Sequence, residues 1–169
     1  MGVCQPTHAQ TSLENTAVLR AAILNVLDAL RRSELPPGPV LVDERVLIPY
    51  EYSIPGRTER TTAYRLGPPR APETNEALLR AIPATKGEYD TAVSCRIQGR
   101  PETCVVQDAV IVFAVSDPAI LPGAMEVVVQ ARWMTSETRQ PVHTGRFSVI
   151  LVREPGGWQV RSRRILFIT

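Results

Sequence analysis

Apolar residues recur at helical spacing near the start of the chain and at strand spacing in its second half. Thr11 and Glu14 have the spacing of a capping box, which predicts that a helix begins near Thr11. The prolines within 36–39 cannot continue that helix, so we expect it to end near Ser33. The pattern predicts one amphipathic helix of about 20 residues whose apolar stripe lies in the core. The stripe consists of Leu19, Ile23, Val26, Leu27 and Leu30.

A strand pair and a short helix are predicted to follow. Residues 40–48 alternate imperfectly between apolar and polar, and we expect them to pair as a strand with residues 61–66. A loop over 49–60, which contains two tyrosines, joins the two strands. The short helix is predicted over 73–82, because acidic residues occupy its first turn and Pro83 stops it.

Segments rich in Val and Ile, each bounded by Gly or Pro, predict five strands in the second half of the chain. They are residues 91–97, 104–115, 124–135, 143–153 and 158–168. Short connections favour one antiparallel sheet in which sequential neighbours pair. Apolar residues share one face of 124–135, so we expect that face to be covered. Helices followed by a meander predict an α+β fold, with an N-terminal amphipathic helix and a short second helix packed on an antiparallel sheet.

The length of 169 residues fits one domain, which we expect to span residues 11–169. Residues 1–10 have no periodicity, and two interpretations stay open for them. They are either a disordered tail or the remnant of an export signal, because Thr7-His8-Ala9 has small residues at its first and third places. No apolar run approaches the roughly 18 residues of a membrane span, so no transmembrane segment is expected.

The charge excess of the chain is small. Nineteen basic residues against 17 acidic ones give a net charge of +2, and residues 146–169 contain five Arg and one Glu. Nucleic-acid-binding proteins usually carry a larger basic stripe with aromatic side chains for stacking, whereas only 5% of this chain is aromatic. We therefore predict no nucleic-acid partner.

Familiar catalytic motifs are missing from the sequence, which has no P-loop, no Gly-x-Gly-x-x-Gly and no nucleophile elbow. Two histidines and three widely spaced cysteines do not assemble a zinc ligand set, so neither a metal nor a cofactor is predicted. A Ser-His-Asp triad would have to be built around His143. That residue stands at the start of a predicted strand, where we expect its side chain to be exposed to solvent.

The closing stretch RFSVILVR at 146–153, followed by GGWQV at 156–160, looks like the final hairpin of the nuclear-transport-factor-2-like superfamily. This superfamily of cone-shaped folds includes SnoaL-like enzymes and ketosteroid isomerases. The order of the predicted elements over residues 12–169 resembles it as well. The resemblance implies a curved, cone-like sheet and a pocket between the sheet and the helix.

The same resemblance implies where catalysis would occur. An isomerase of this type needs a carboxylate or a histidine in apolar surroundings. Asp108, a lone acid before an apolar strand, is the candidate base, Tyr64 is a candidate hydrogen-bond donor, and His143 is the third catalytic candidate. The candidate ligand-binding residues are Tyr50, Tyr52, Tyr64 and Trp133.

The sequence leaves two predicted functions open, one non-catalytic and one enzymatic. Residues 108–112 and the flanking cysteines look like those of uncharacterised small exported bacterial proteins, which implies a compartment but no activity. The favoured prediction is a non-catalytic domain that binds a small apolar ligand or a protein partner, and a homodimer is left open. The alternative is a SnoaL-like or ketosteroid-isomerase-like enzyme acting on a small apolar substrate. A deep pocket with a buried Asp or His would favour the enzyme, and a cone filled with Val, Ile and Leu would exclude it.

Cys95 and Cys104 are predicted to form a disulfide, with Cys4 left unpaired. A hairpin centred on Gly99-Arg100 places Cys95 opposite Cys104 at a non-hydrogen-bonded pair. Cα atoms at such pairs are about 4.5 Å apart, which a disulfide tolerates. The bond would persist in an oxidising compartment, so the predicted location is periplasmic or extracellular. The alternative is a cytoplasmic protein with two buried thiols.

Overall fold

The computed structural model describes residues 8–33, 35–53, 55–56, 58, 60–96, 103–106, 109–134 and 142–169, without the side chains of 8–12, 94–96 and 103–105. This part of the chain contains two helices and ten strands. In chain order they are α1 (His8–Ser33), β1 (Val40–Ser53), β2 (Arg60–Pro69), α2 (Pro72–Ala81), β3 (Thr85–Lys86), β4 (Val93–Arg96), β5 (Thr103–Val106), β6 (Ile111–Val115), β7 (Ala119–Leu121), β8 (Ala124–Trp133), β9 (His143–Glu154) and β10 (Gly157–Ile168).

Helix α1 ends at Ser33, as the prolines predict, but it begins at His8 rather than near Thr11. The predicted capping box therefore lies inside the helix, and residues 8–10 are helical rather than part of a tail. The remainder of that predicted tail lies outside the described residues. The apolar stripe is confirmed as core, because all five of its side chains are at most 5% exposed. Helix α2 packs against α1 and contributes the fully buried Leu78 to the same core.

Strands β1 and β2 form the predicted antiparallel hairpin, but it is longer than predicted. The pairing runs from Arg45 opposite Pro69 to Ser53 opposite Arg60, with a bulge between Arg45 and Leu47. Residues 49–53 are therefore strand rather than loop. The turn is shorter than expected, and it includes Gly56 at a φ of 83°, a conformation that glycine adopts without strain.

The main sheet is mixed rather than wholly antiparallel, and its strands follow the order β10-β9-β8-β6-β1-β2. The antiparallel meander of β6, β8, β9 and β10 is confirmed, with the short β7 added beside β8. Strand β1, however, lies parallel to β6, with Val40 opposite Ile111. A parallel pair needs a connection of a dozen residues or more, and the long segment between these two strands supplies it.

The predicted strand over 104–115 is two strands in the structure. Its first part, β5, pairs with β4 in a separate two-stranded sheet, whereas its second part, β6, enters the main sheet. Hydrogen bonds fix the change of direction at Val110, whose N–H donates to the carbonyl of Pro39 at 3.0 Å. The N–H of Met134 in turn donates to the carbonyl of Val110 at 3.0 Å. Val110 therefore joins the main sheet between β1 and β8.

Each face of the main sheet carries its own apolar cluster. Val127 and Val129 lie on the face that packs under the helices, whereas Val128, between them, lies on the opposite face. The opposite face is covered by Tyr89 and Val106, from the segment that contains β4 and β5. Alternation along β8 thus separates two cores, both of them buried.

The sheet is strongly curved. Strands β2 and β9 are four strand spacings apart in the sheet order, which would amount to about 19 Å in a flat sheet. The guanidinium carbon of Arg146 on β9 is nevertheless only 4.6 Å from the ring centroid of Tyr64 on β2. The β1–β2 hairpin therefore folds over the face opposite the helices, and that face is concave.

Candidate functional site

A cavity of about 350 Å³ lies where the β1–β2 hairpin folds over β8. Ligand pockets in proteins typically start near this size. Most of its lining comes from three places: the middle of β1, the segment between β6 and β7, and β8. The lining residues are Val46, Leu47, Ile48, Pro49, Tyr64, Ser116, Asp117, Ala119, Glu126 and Val128.

The walls of this cavity are mainly apolar, and a few polar groups are held in fixed positions. The Ser116 hydroxyl accepts a hydrogen bond from the N–H of Val128 at 2.9 Å and donates to the carbonyl of Asp117 at 2.9 Å. These two bonds fix the backbone that carries Asp117. Two residues before Val128 on β8, one carboxylate oxygen of Glu126 accepts a hydrogen bond from the Ser148 hydroxyl.

Tyr64 supplies a second hydroxyl to the site. Burial raises the pKa of Tyr64, and the Glu126 carboxylate raises it further, whereas Arg146 acts in the opposite direction. The phenol therefore stays protonated at neutral pH and can donate a hydrogen bond. Arg146 is stacked between two rings, 4.6 Å from that of Tyr64 and 4.7 Å from that of Phe167, and its Nε donates to Gln130 at 2.8 Å. This stacking fixes the position of the tyrosine.

Of the predicted site residues that the structure describes, Tyr64 alone lines this cavity. Tyr50 and Tyr52 lie on β1 at 43% and 42% exposure, with their ring centroids 6.2 Å apart. Trp133 is fully buried in the cluster under the helices, on the other face of the sheet. Asp108 lies outside the described residues.

His143 is half-buried rather than exposed, because its ring stacks on Trp133 with a centroid separation of 5.7 Å. Its Nδ1 lies 3.1 Å from the carbonyl oxygen of Thr169. Its Nε2 is buried and has no hydrogen-bond partner among the described residues. The structure therefore gives His143 neither a serine nor a carboxylate partner within the described chain.

The interface between helix and sheet, where the resemblance implies a pocket, is filled with apolar side chains. Ile23 and Leu27 of α1 and Phe113 of β6 are all fully buried there, together with the valines of β8. The cavity lined by Tyr64 lies on the opposite, concave face. In the described part of the chain the helix side is therefore a packed apolar core, and the cavity of about 350 Å³ lies on the concave side.

Two charged residues that the sequence analysis missed hold the cavity's framework together. Asp43 is 1% exposed, and its Oδ2 accepts hydrogen bonds from Nη2 of Arg45 and from the N–H of Tyr89, both at 2.7 Å. Its Oδ1 accepts two more from Arg45, at 2.8 and 3.0 Å. Burial alone would raise the pKa of Asp43, but these hydrogen bonds outweigh it, so the pKa lies below its ordinary value of 3.8.

Arg70, the second of these residues, is 6% exposed and bonds to backbone carbonyls. Its Nη1 donates to the carbonyl of Asp43 at 2.9 Å, and its Nη2 donates to those of Arg45 and Val115. Burial lowers the pKa of Arg70, and Asp117 and Asp43 offset part of this effect. Arg70 therefore ties the bulge of β1 to the end of β6, next to the cavity.

A larger depression of about 580 Å³ lies on the other side of Arg70, beside the start of α2. Nε of Arg70 and Oδ1 of Asn75 are both buried there without a hydrogen-bond partner in the described chain. Glu44 on its rim already pairs with Lys86 at 2.7 Å, and Glu76 pairs with Arg80 at 3.5 Å. The charges of its rim are therefore mutually compensated.

Within the described ranges, no group of three or more His, Cys, Asp or Glu side chains is arranged to hold a metal ion. Neither of the two described helices is long and apolar enough to cross a membrane. The fold and the cavity define an α+β protein with an open, curved, mixed sheet. No family model, curated protein or solved structure matches the chain.

Proposed function

We propose that the protein is a non-catalytic binding domain that holds a small, mainly apolar ligand in the cavity under the β1–β2 hairpin. The observation that carries the proposal is the composition of this cavity. Leu47, Ile48 and Val128 form apolar walls, and the polar groups are few and held in place. Such a combination is typical of small-molecule sites, in which apolar contact gives affinity and a few polar groups fix orientation.

The polar groups also define the ligand. Asp117 and Glu126 offer acceptor oxygens, and the Tyr64 hydroxyl both donates and accepts. No basic side chain is among the described residues that line the cavity. A ligand that carries a hydroxyl or amine donor on an apolar body fits this site, whereas an anionic head group would face two carboxylates.

The proposal is tested by filling the cavity from its exposed edge. Ala119 on β7 lines the cavity, whereas its neighbour Ile120 is 84% exposed and does not. Adjacent strand residues point to opposite faces, so Ala119→Trp should block the cavity and Ile120→Trp should leave it open. Titration with Nile red, a neutral apolar dye, should show binding to the wild type and to Ile120→Trp. Ala119→Trp should bind at least about tenfold more weakly, a loss of about 1.4 kcal/mol. Equal binding by the two variants would contradict the proposal.

Catalysis at the same cavity is the second candidate function. It is favoured by one observation, namely that Glu126 and Tyr64 line the same apolar-walled space. A carboxylate and a phenol placed in this way can serve as base and hydrogen-bond donor in removing a proton next to a carbonyl group. The cone-like fold of the nuclear-transport-factor-2-like superfamily is proposed with it, supported by the curved sheet and the order of elements.

Deuterium incorporation separates the two candidates. A small β,γ-unsaturated ketone is incubated with the protein in D₂O, and exchange at its α-carbon is followed by NMR. If the protein is a binding domain, deuterium exchange at the α-carbon of the ketone should be no faster than in buffer alone. If the protein is an enzyme, this exchange should be faster than in buffer. Glu126→Gln should abolish the acceleration, because it removes the base. Glu154→Gln, an exposed control on β9, should keep it.

We propose that the protein is exported to the periplasm or out of a bacterial cell. The basis of this proposal is the two cysteines of the β4–β5 hairpin. The predicted register is confirmed, because Cys95 lies directly opposite Cys104. Directly opposed residues of an antiparallel pair bring their Cα atoms within the range that a disulfide bridges. The covalent bond itself concerns side chains outside the described part and stays a prediction.

Alkylation of the never-reduced protein, unfolded in denaturant so that buried thiols are accessible, tests the disulfide. Mass spectrometry should show no label on Cys95 and Cys104 before reduction and one label on each after it. Reduction should lower the free energy of unfolding by about 2–3 kcal/mol, because the closed loop contains about ten residues. Labelling of both cysteines without reductant in the unfolded, never-reduced chain would remove the disulfide and, with it, the argument for export.

A further inference from the structure

The cavity under the β1–β2 hairpin is apolar on one wall and acidic on another. The apolar wall consists of residues 46–49 of β1. The acidic wall is built by Asp117, which follows β6, and by Glu126 on β8. Ala119 of β7, two positions after Asp117, lies directly opposite Glu126. This pairing brings the segment that carries Asp117 beside the one that carries Glu126, so the two carboxylates share a wall.

The described part of the chain does not balance the charge of this acidic wall. Neither carboxylate forms an ion pair there, and no Arg, Lys or His is among the described residues of the lining. Oε1 of Glu126 accepts a hydrogen bond from the Ser148 hydroxyl, which is a neutral donor. Glu126 is nevertheless half-buried, and a carboxylate withdrawn from water is usually paired with a cation. The acidic wall is therefore suited to a cation.

Two arginines lie next to the cavity, and both are held by other groups. Arg70 interacts electrostatically with Asp117, but its guanidinium is buried and its Nη atoms donate to backbone carbonyls. Arg146 stacks on the ring of Tyr64, and its Nε and Nη2 both donate to Gln130. Pairing either guanidinium with the acidic wall would break these bonds. The cation that fits the wall is therefore one that a ligand brings.

The acceptors of the cavity indicate which cation fits. Three side-chain acceptors of the lining have capacity for a ligand, namely the two carboxylates and the hydroxyl oxygen of Tyr64. A primary ammonium group has three donors and no acceptor, so it matches these oxygens in number and in charge. An alcohol offers one donor and no charge, whereas a quaternary ammonium offers the charge and no donor.

We propose that the ligand of this cavity is a primary amine on an apolar body, bound as its ammonium ion. This inference rests on the proposed function, because it assigns a ligand class to the same cavity. The ammonium group contacts Asp117 and Glu126, and the apolar body packs against residues 46–49 of β1. Hydrogen bonds between charged groups are roughly twice as strong as neutral ones, so the site prefers the amine to an alcohol of the same shape.

Isothermal titration calorimetry at pH 7, with three ligands that share a phenylethyl body, tests the ligand class. 2-Phenylethylamine should bind at least about tenfold more tightly than 2-phenylethanol, which has the same size but no charge. It should also bind at least about tenfold more tightly than N,N,N-trimethyl-2-phenylethylammonium, which keeps the charge but has no donor. Equal binding of the amine and either comparison ligand, or no binding of the amine, would overturn the proposal.

Removal of the acidic wall locates the ammonium group. In Asp117→Asn combined with Glu126→Gln, the ratio of the amine affinity to the alcohol affinity should approach one. Glu154→Gln removes an exposed carboxylate outside the cavity, so it should keep the ratio of the wild type. Both cavity changes preserve side-chain shape, and an unchanged circular dichroism spectrum checks that the fold is kept. A ratio in the double variant equal to that of the wild type would show that the amine binds elsewhere.

Nile red separates a wrong ligand class from a wrong function. If the dye binds and Ala119→Trp weakens it, but the amine and the alcohol bind equally, the cavity binds neutral ligands and the ligand class alone is wrong. If neither the dye nor any of the three phenylethyl ligands binds, the proposed function and the ligand class are both wrong.

Discussion

Replacing Arg70 with methionine is expected to lower the free energy of unfolding by about 3–5 kcal/mol, as when one partner of a buried charged network is removed. Its guanidinium donates to the carbonyls of Asp43, Arg45 and Val115, which join the β1 bulge to the end of β6. Methionine occupies a similar volume but donates nothing, so these acceptors lose their charged donor. Each buried acceptor left unpaired costs about 1–3 kcal/mol.

The cost of burying the Arg70 guanidinium acts in the opposite direction, so the sign of the change in stability is informative. Burying a guanidinium is itself unfavourable, and burial lowers the pKa of Arg70 for that reason. If the cost of burial dominated, Arg70→Met would stabilise the fold. Arg65→Met, on the strand β2 that precedes Arg70, is the matched control, because Arg65 is exposed and a change there should stay within about 0.5 kcal/mol. Urea unfolding of the three proteins, followed by circular dichroism, gives the comparison.

Replacing Asp43 with alanine is the second change with a large expected effect, again about 3–5 kcal/mol at pH 7. It leaves the buried N–H of Tyr89 without its acceptor and removes the carboxylate that holds Arg45 at 2.7 Å. Asp90 offers a control on the same arginine. It lies 3.2 Å from Nη1 of Arg45 but is 60% exposed, so Asp90→Ala should cost less than about 1 kcal/mol.

The contribution of Asp43 should also depend on pH in a defined direction. Its pKa in the folded protein lies below the ordinary value of 3.8, so folding favours the carboxylate. The stabilisation is complete above pH 3.8 and is lost as the pH falls further, through the folded pKa. The difference in unfolding free energy between wild type and Asp43→Ala should therefore shrink below pH 3.8. A difference that stays constant down to pH 2.5 would show that the charge of Asp43 contributes nothing.

The helices could be predicted because their signals are local. The apolar stripe of α1 repeats with the helical period, and the prolines after Ser33 end the helix whatever the rest of the chain does. The predicted start of α1 was wrong, because Thr11 and Glu14 match a capping box by spacing alone. Helical residues continue upstream to His8, so the helix does not begin at that spacing.

The arrangement of the strands was predicted only where neighbours in sequence are neighbours in space. The β8–β9–β10 meander and the register of Cys95 opposite Cys104 follow from short connections. The parallel pairing of β1 with β6 has no such signal, because it depends on which distant strand completes the core. The change of direction at Val110 follows from that pairing and was missed with it.

The candidate site was found in part. Tyr64 was predicted as a site residue, whereas Glu126 was not. Glu126 lies on the face of β8 opposite the apolar residues that pack under the helices. What the sequence did not show is that the β1–β2 hairpin folds over that face and turns it into a cavity wall. The contact between Tyr64 and Arg146 joins residues about 80 positions apart, and no local pattern encodes it.

The parallel pairing of β1 with β6 has a consequence for the order in which the protein is made. Val40 pairs with Ile111, which lies 71 positions later in the chain. At roughly 5–20 residues per second, a ribosome needs about 4–14 s to reach it. Strand β2 can pair with one edge of β1 soon after synthesis, but the edge carrying Val40 and Val42 stays open until β6 emerges. During those seconds the nascent chain presents an apolar strand edge, and a chaperone that holds it would protect the protein from pairing with its neighbours on the polysome.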